Sequence, residues 1–557
     1  EPSGRLPPDS RYTPPPMVQK EAMLEAQVRA FLPQIWEEAP DLATVCGAHA
    51  WDSRLPRPDA DSAARRSELY GALLTEVEEH RSASLHARHD IEVFEARLAA
   101  WRYAALELKL WKRNPDALSG LGSLLFTMLI HRPEDPDTHF AAVAARCRAI
   151  PDYLETFRGR LDLPERIWVD TAVRVCRSTG PLFDALLPSA QAAGAAGSTL
   201  DDLADAADTA RRASDDHRRW LEALSDAETM EGGWLLSDQA YGHLLDLKLL
   251  DLTIEEVEEI GREQLAMRVA QRDQHQPPSG PPPASFAQAL ERVGQIVSES
   301  RRFVLDRQFA AIPSKEELVI QATPSFLRPV IPFAALLSSG PLESVQRSVY
   351  LVSEPADGDL SELRPARIGG VAVHEGYPGH HLQLTTANQT CSLLRSRFIG
   401  SPGCNGEAAL GVDLIEGWAH YCEEQMQEAG YGCLPGAAWV LRNDQVWRAV
   451  RILVDVGMCR GRMSPEEAVG LLVEQAGLSR PGAEAEVRRY TSNPTYQLCY
   501  LIGKEKLSAL RRELLQTWGQ EGSPRRFHDL VLAAGCIPVE MLRRFEREER
   551  ENPGGSC

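Results

Sequence analysis

Pro378 stands four residues after His374, where a helix running through His374 would need a backbone donor. Proline has no N–H, and its ring clashes with the carbonyl one turn back. It also pushes Tyr377 away from helical geometry, and Gly379 frees the turn that follows. No unbroken helix can carry the whole segment His374-Glu375-Gly376-Tyr377-Pro378-Gly379-His380-His381. That constraint decides what the histidines can do. In the common His-Glu-x-x-His arrangement the imidazoles sit at i and i+4, on one side of a helix. Here His380 is at i+6, about 240° round an ideal helix from His374 and on the order of 9 Å along it. The Tyr-Pro-Gly insert must bend the chain if His374 and His380 are to reach one ion. His381 is the rival ligand if the helix is only bent.

A second cluster follows, Glu416-Gly417-Trp418-Ala419-His420-Tyr421. The run Leu414 to Glu424 reads as a helix, which puts Glu416, His420 and Glu423 on one face. An inward-facing charged row needs a partner, because an unpaired buried charge is costly. A metal ion supplies one. Two imidazoles and a distant glutamate can hold Zn2+ and leave one coordination position for water, and this donor set suits zinc better than Mn2+ or Fe2+. Glu375, directly after His374, can take that water's proton. His420 would support the ligands or touch a substrate oxyanion; the plainer reading is an ion pair with Glu423. Cys422 reads as a small apolar residue. Arg442, Arg448 and Arg451 lie on a helix with Trp447, where one arginine can grip a substrate carboxylate or all can form salt bridges. Tyr500, on a helix after Pro494, can donate to an oxyanion or pack in the core.

Elsewhere the pattern is helical. Leu69, Leu73, Leu74 and Val77 recur at spacings of three and four, as do Val93, Leu98, Trp101, Ala104, Leu108 and Trp111. Asp152 is expected to start one helix and Asp201-Asp202 to open another. Glu317 to Pro324 and Ser348 to Ser353 alternate and are β-branched, which predicts two or more short strands, a small sheet near residues 315–355. The fold class is therefore mainly α. The division expected is an extended Pro-rich tail over 1–16, an N-terminal helical region over 17–275, a Pro-rich linker or loop over 276–284, a catalytic helical region with the small sheet over 285–550, and a flexible tail over 551–557.

A net charge of −20 argues against nucleic acid as a partner, since a phosphate-binding surface needs clustered Lys and Arg. No apolar run of membrane-spanning length and no apolar signal segment is present. Eleven cysteines, an odd number without C-x-x-C spacing, read as mostly reduced thiols of a cytoplasmic protein.

The segments His374 to His380, Glu416 to Tyr421, Asp455-Val456-Gly457, and Glu486 with Arg489-Tyr490 leading to Pro494 and Tyr500-Leu501-Ile502-Gly503 resemble the bacterial domain-of-unknown-function 885 family, a group similar to zinc-dependent peptidases. The motifs cover about residues 340 to 510. The resemblance implies a large helical body with a deep active-site cleft, like gluzincin oligopeptidases and carboxypeptidases. It also implies His374, His380 and Glu416 as metal ligands and Glu375 as general base. Two departures stand out: Cys459 replaces an expected histidine, and Thr495-Tyr496 replaces the usual Gly-Gln. The function expected is zinc-dependent hydrolysis of peptide or related amide bonds in short, flexible substrates, with Glu375, His420 and Tyr500 as catalytic groups. The alternatives are an inactive metal-containing scaffold that binds peptides and a helical interaction protein without metal. Oligomeric state is not legible.

Overall fold

The computed structural model describes residues 19–130, 135–329, 331–355, 358–396, 409–432 and 434–551. The tail expected over 1–16 and residues 552–557 lie outside them. The molecule is 70% helix and 4% strand, so the mainly-α reading with a small sheet holds. Two helices begin earlier than the sequence suggested. The one expected from Asp152 runs Pro136–Gly159 with Pro151 inside it, and the one expected at Asp201 runs Gly197–Ala223. Phe140, Val143, Cys147, Ile150 and Leu154 pack in one apolar cluster with Leu203, Ala206 and Ala210. Burial on both sides of Pro151 outweighs the hydrogen bond that the proline removes.

The elements that matter for the site follow in order. Helix α1 (Ile254–Arg272) precedes the Pro-rich run, which carries neither helix nor strand, and α2 (Phe286–Asp306) comes after it. Strands β1 (Glu316–Ala322), β2 (Ala334–Leu337) and β3 (Gln346–Val352) make one sheet in the order β1-β3-β2. β3 pairs parallel with β1, Val319 opposite Val349, and antiparallel with β2, Leu336 opposite Tyr350. Six more helices complete the set: α3 (Pro365–Glu375), α4 (His380–Thr390), α5 (Val412–Glu428), α6 (Ala437–Cys459), α7 (Arg480–Ser492) and α8 (Cys499–Trp518).

The sheet is a wall between two cores. Side chains alternate across a strand. Tyr350 and Val352 enter a cluster with Val93, Val293, Val373, Trp418 and Leu507, while Val349 and Leu351 enter the cluster of Phe140, Leu203 and Phe326. Both clusters draw residues from both sides of the Pro-rich run.

Pro378 does more than kink a helix: α3 stops at Glu375 and α4 starts afresh at His380. The Tyr377–Pro378 peptide is cis. The turn is packed against the helix it leaves. A Cβ on Gly379 would lie 2.0 Å from the carbonyl oxygen of His374 and 2.3 Å from that of Val373, so only glycine fits. Trp418 Nε1 donates to the Pro378 carbonyl at 2.8 Å and ties the turn to α5. Helices α5 and α8 approach equally closely, because a Cβ on Gly503 would lie 1.8 Å from the Asp413 carbonyl oxygen and one on Gly417 2.5 Å from Gly503 C. This contact brings Glu416 beside the aromatic residues that precede and begin α8.

Gly503→Ala should therefore force α5 and α8 apart, at a cost of about 1–3 kcal/mol for overpacking, and lower the thermal unfolding midpoint. Gly294→Ala, in a helix with nothing within 4 Å of the added methyl, should leave that midpoint unchanged or raise it.

Candidate metal centre

Three elements bring together the ligands expected from the sequence. His374 comes from the last turn of α3, His380 from the first residue of α4, and Glu416 from the second turn of α5. Glu416 Oε2 lies 3.2 Å from His380 Nε2 and 3.5 Å from His374 Nε2, and one ligand atom from each residue falls within 4.8 Å of the others. Ligands about 2.0–2.1 Å from a tetrahedral zinc ion stand about 3.3 Å apart. The two carboxylate–imidazole distances bracket that edge. Each of the three residues keeps 6–8% of its surface, whereas His381 and His420 keep none.

The protonation pattern explains why these atoms need a cation. His374 Nδ1 donates to Glu423 Oε1 at 2.6 Å. In the neutral ring this leaves a lone pair on Nε2, pointed at Glu416 Oε2. That oxygen makes no hydrogen bond of proper geometry, so acceptor faces acceptor. Between His374 and Glu416 a positive charge relieves the arrangement, either a metal ion or a proton. Burial opposes a charged His374, but Glu416 and Glu423 outweigh it and push its pKa up to about 10. Burial also opposes charge on Glu416, yet the two imidazoles hold it well below the carboxylate range. The residues present fit a zinc ion.

His381 belongs to a separate network. Its Nε2 lies 2.9 Å from Glu316 Oε2 at the start of β1, and Tyr377 Oη donates to the same oxygen. Arg301 of α2 closes the cluster at 2.9 Å from Oε1. The rival ligand is thus occupied in anchoring the turn to the sheet.

Glu375 ends α3, and its carboxylate bonds to no described residue. Burial raises its pKa, against the pull of the His380 and His374 imidazoles. Tyr500 lies on the first turn of α8, its ring stacked 6.3 Å from His374. Its hydroxyl bonds to no described residue, and burial with the Glu416 charge pushes its pKa up to about 12, so it remains a donor. His420 Nδ1 is 3.3 Å from Glu423 Oε2 and stands behind the ligand shell rather than in it. The His420–Glu423 pair is buried, not a surface ion pair. Cys422 is buried with Trp418 and Tyr421 in the apolar cluster.

All three arginines on α6 have partners, and Arg448 also donates to the Asp444 carbonyl at 3.3 Å. Arg442 bonds Glu424 and Gln445, and Arg451 bonds Glu486 and Tyr490. The Arg448 guanidinium lies 3.6 Å from Glu423 and 3.8 Å from Asp444, and its buried Nε has no partner.

Three supporting residues escaped the sequence reading. Glu423, seen only as a partner for His420, orients His374. Its place on the same helical face as Glu416, two turns on, was the available signal. Glu316 had no signal. Tyr496 appeared only as a departure, yet its hydroxyl donates to Glu416 Oε1 at 2.5 Å. Thr495 before it has φ +64°, a region glycine favours and a β-branched residue avoids at a cost of order 1–3 kcal/mol. Cys459, the other departure, is buried in a cluster with Tyr241 and Val456.

The sequence profile described as "Bacterial protein of unknown function (DUF885)" matches residues 40–545. The chain belongs to this family. Two solved structures share the fold of this DUF885 protein. One is "a putative lipoprotein of unknown function" from Shewanella oneidensis, with a TM-score of 0.70 at 20% identity over 94% of this chain and 99% of that one. The other, "the putative lipoprotein" from Colwellia psychrerythraea, has a TM-score of 0.77 at 17% identity over 96% and 100%. No curated protein matches the sequence. No helix among the described residues is long and apolar enough to cross a membrane.

A cation entering the site must displace the proton that His374 otherwise carries below about pH 10. Metal affinity should therefore rise about tenfold per pH unit between about pH 6 and about pH 8, with one proton released per ion bound. Chelator competition across that range checks the slope.

Proposed function

We propose that this protein is a zinc-dependent hydrolase of peptide or related amide bonds. The observation that carries the reading is the convergence of His374, His380 and Glu416 on one point, with the unpartnered Glu375 carboxylate adjoining in sequence and interacting electrostatically with both imidazoles. Zinc bound there would supply a Lewis acid and lower the pKa of a water molecule. Two imidazoles and one carboxylate favour it over manganese or iron.

The remaining work belongs to the side chains. Glu375 accepts the proton of the attacking water and hands it to the leaving amine; its raised pKa suits both halves of the task. Tyr500 keeps its proton and donates a hydrogen bond to the oxyanion that develops on the substrate carbonyl. His420 positions Glu423, which holds His374 in the tautomer that presents Nε2. Arg448, the least engaged of the three α6 arginines, is the group to grip a substrate carboxylate. The substrate is a short, flexible peptide or amide that can reach nearly buried groups. An odd number of cysteines without C-x-x-C spacing favours the cytoplasm, and the lipoprotein wording on the two similar structures favours the cell envelope; fractionation of the native host separates the two.

Glu375→Gln should keep one equivalent of zinc and lose turnover by a factor of about 10²–10⁴. A peptide library digested by the native protein and read by mass spectrometry, with this variant as the blank, gives the measurement. A variant that matches the native digest, or a native protein that leaves the library intact, would sink the proposal.

A further inference from the structure

Glu416 has two carboxylate oxygens, and only one of them is free for an ion. Oε2 faces the two imidazoles and makes no hydrogen bond. Oε1 accepts from Tyr496 Oη at 2.5 Å. Tyr496 sits in the turn between α7 and α8, and that turn is fixed from several sides. Thr495 N donates to Asp455 Oδ1 at 3.0 Å, and Tyr241 Oη donates to the same oxygen at 2.6 Å. Asp455 is fully buried in α6. Thr495 keeps its left-handed conformation under this restraint. The Tyr496 ring packs against Tyr500 with centroids 5.9 Å apart. Backbone, buried acid and ring packing all specify one place for the phenol.

A carboxylate free to turn can present both oxygens to a cation, and the second oxygen then fills a position that water would otherwise take. A short hydrogen bond to one oxygen opposes that rotation, because turning would forfeit it. We infer that Tyr496 is a positioning residue that reserves Glu416 Oε2 for the cation and keeps Oε1 away from it. The inference rests on reading His374, His380 and Glu416 as a metal site. It gives Asp455 and the strained Thr495 a task at a distance: they hold the turn that aims the phenol. A purely structural Tyr496, present only to satisfy a buried carboxylate, would leave metal binding untouched.

The test is Tyr496→Phe, which removes one hydroxyl and keeps the ring. Zinc affinity by chelator competition should fall about 10–100-fold, while the metal-free thermal midpoint changes little. Loaded with cobalt(II), the native chain should show the intense visible bands of four-coordinate cobalt. The variant should show the weaker bands of a higher coordination number. Equal zinc affinity and equal cobalt spectra in the two proteins would overturn the inference and leave the metal site standing. Weak bands in the native protein would overturn it without any variant, which covers a variant that fails to fold. A native chain that binds neither ion would remove the metal site and this inference together.

Discussion

The packing of Gly379 against the carbonyls that close α3 sets the geometry on which the rest depends. Because that residue has no side chain, the chain can reverse within four residues and restart as α4 with its first imidazole turned back toward the last turn of α3. The two rings end 4.6 Å apart and nearly perpendicular. A bulkier residue would push α4 outward and leave two isolated histidines. The Trp418 indole, bonded to the Pro378 carbonyl, then fixes this turn to the helix that carries the carboxylate. One local feature thereby sets the positions of side chains from three helices.

Charge is handled in the same economical way. Glu375 apart, the buried carboxylates around the centre answer to other groups: Glu423 to His374, His420 and Arg448, Glu316 to His381, Tyr377 and Arg301, Glu486 to Arg451, Arg489 and Tyr490. Burying such groups singly would cost several kcal/mol each. Arranged in linked sets they are tolerated, and they hold side-chain rotamers that apolar contacts alone would leave loose. Glu416 Oε2 differs from its neighbours, since the His374 nitrogen facing it is an acceptor once that ring is oriented by Glu423.

Much of this was legible in the sequence, and what was not has a common cause. Helical periodicity was sufficient for the helical body, and alternation at Glu317–Pro324 and Ser348–Ser353 located two strands. The third strand, Ala334–Leu337, has little β-propensity of its own and exists because β3 offers it an edge. His374, His380 and Glu416 could be named because the proline break and the acidic helix pointed to these segments and the family resemblance implied the set, with His381 left as a rival on geometry alone. The partners that orient or restrain the histidines and Glu416 could not. Glu423 reaches His374 across 49 residues, Glu316 reaches His381 across 65, and Tyr496 reaches Glu416 across 80. No periodicity encodes such pairings; only the packed fold does.

The shared cores have a consequence for how such a protein can be divided. Val93 lies in one cluster with Val293 and Trp418. The buried guanidinium of Arg97 donates to the carbonyls of Leu394 at 3.1 Å and Cys536 at 2.7 Å. A cut at the Pro-rich loop would expose apolar faces on both fragments and strand those carbonyls without their donor. The loop looks like a seam, yet neither piece could close its own interior. The family match likewise runs unbroken across the loop, from residue 40 to residue 545.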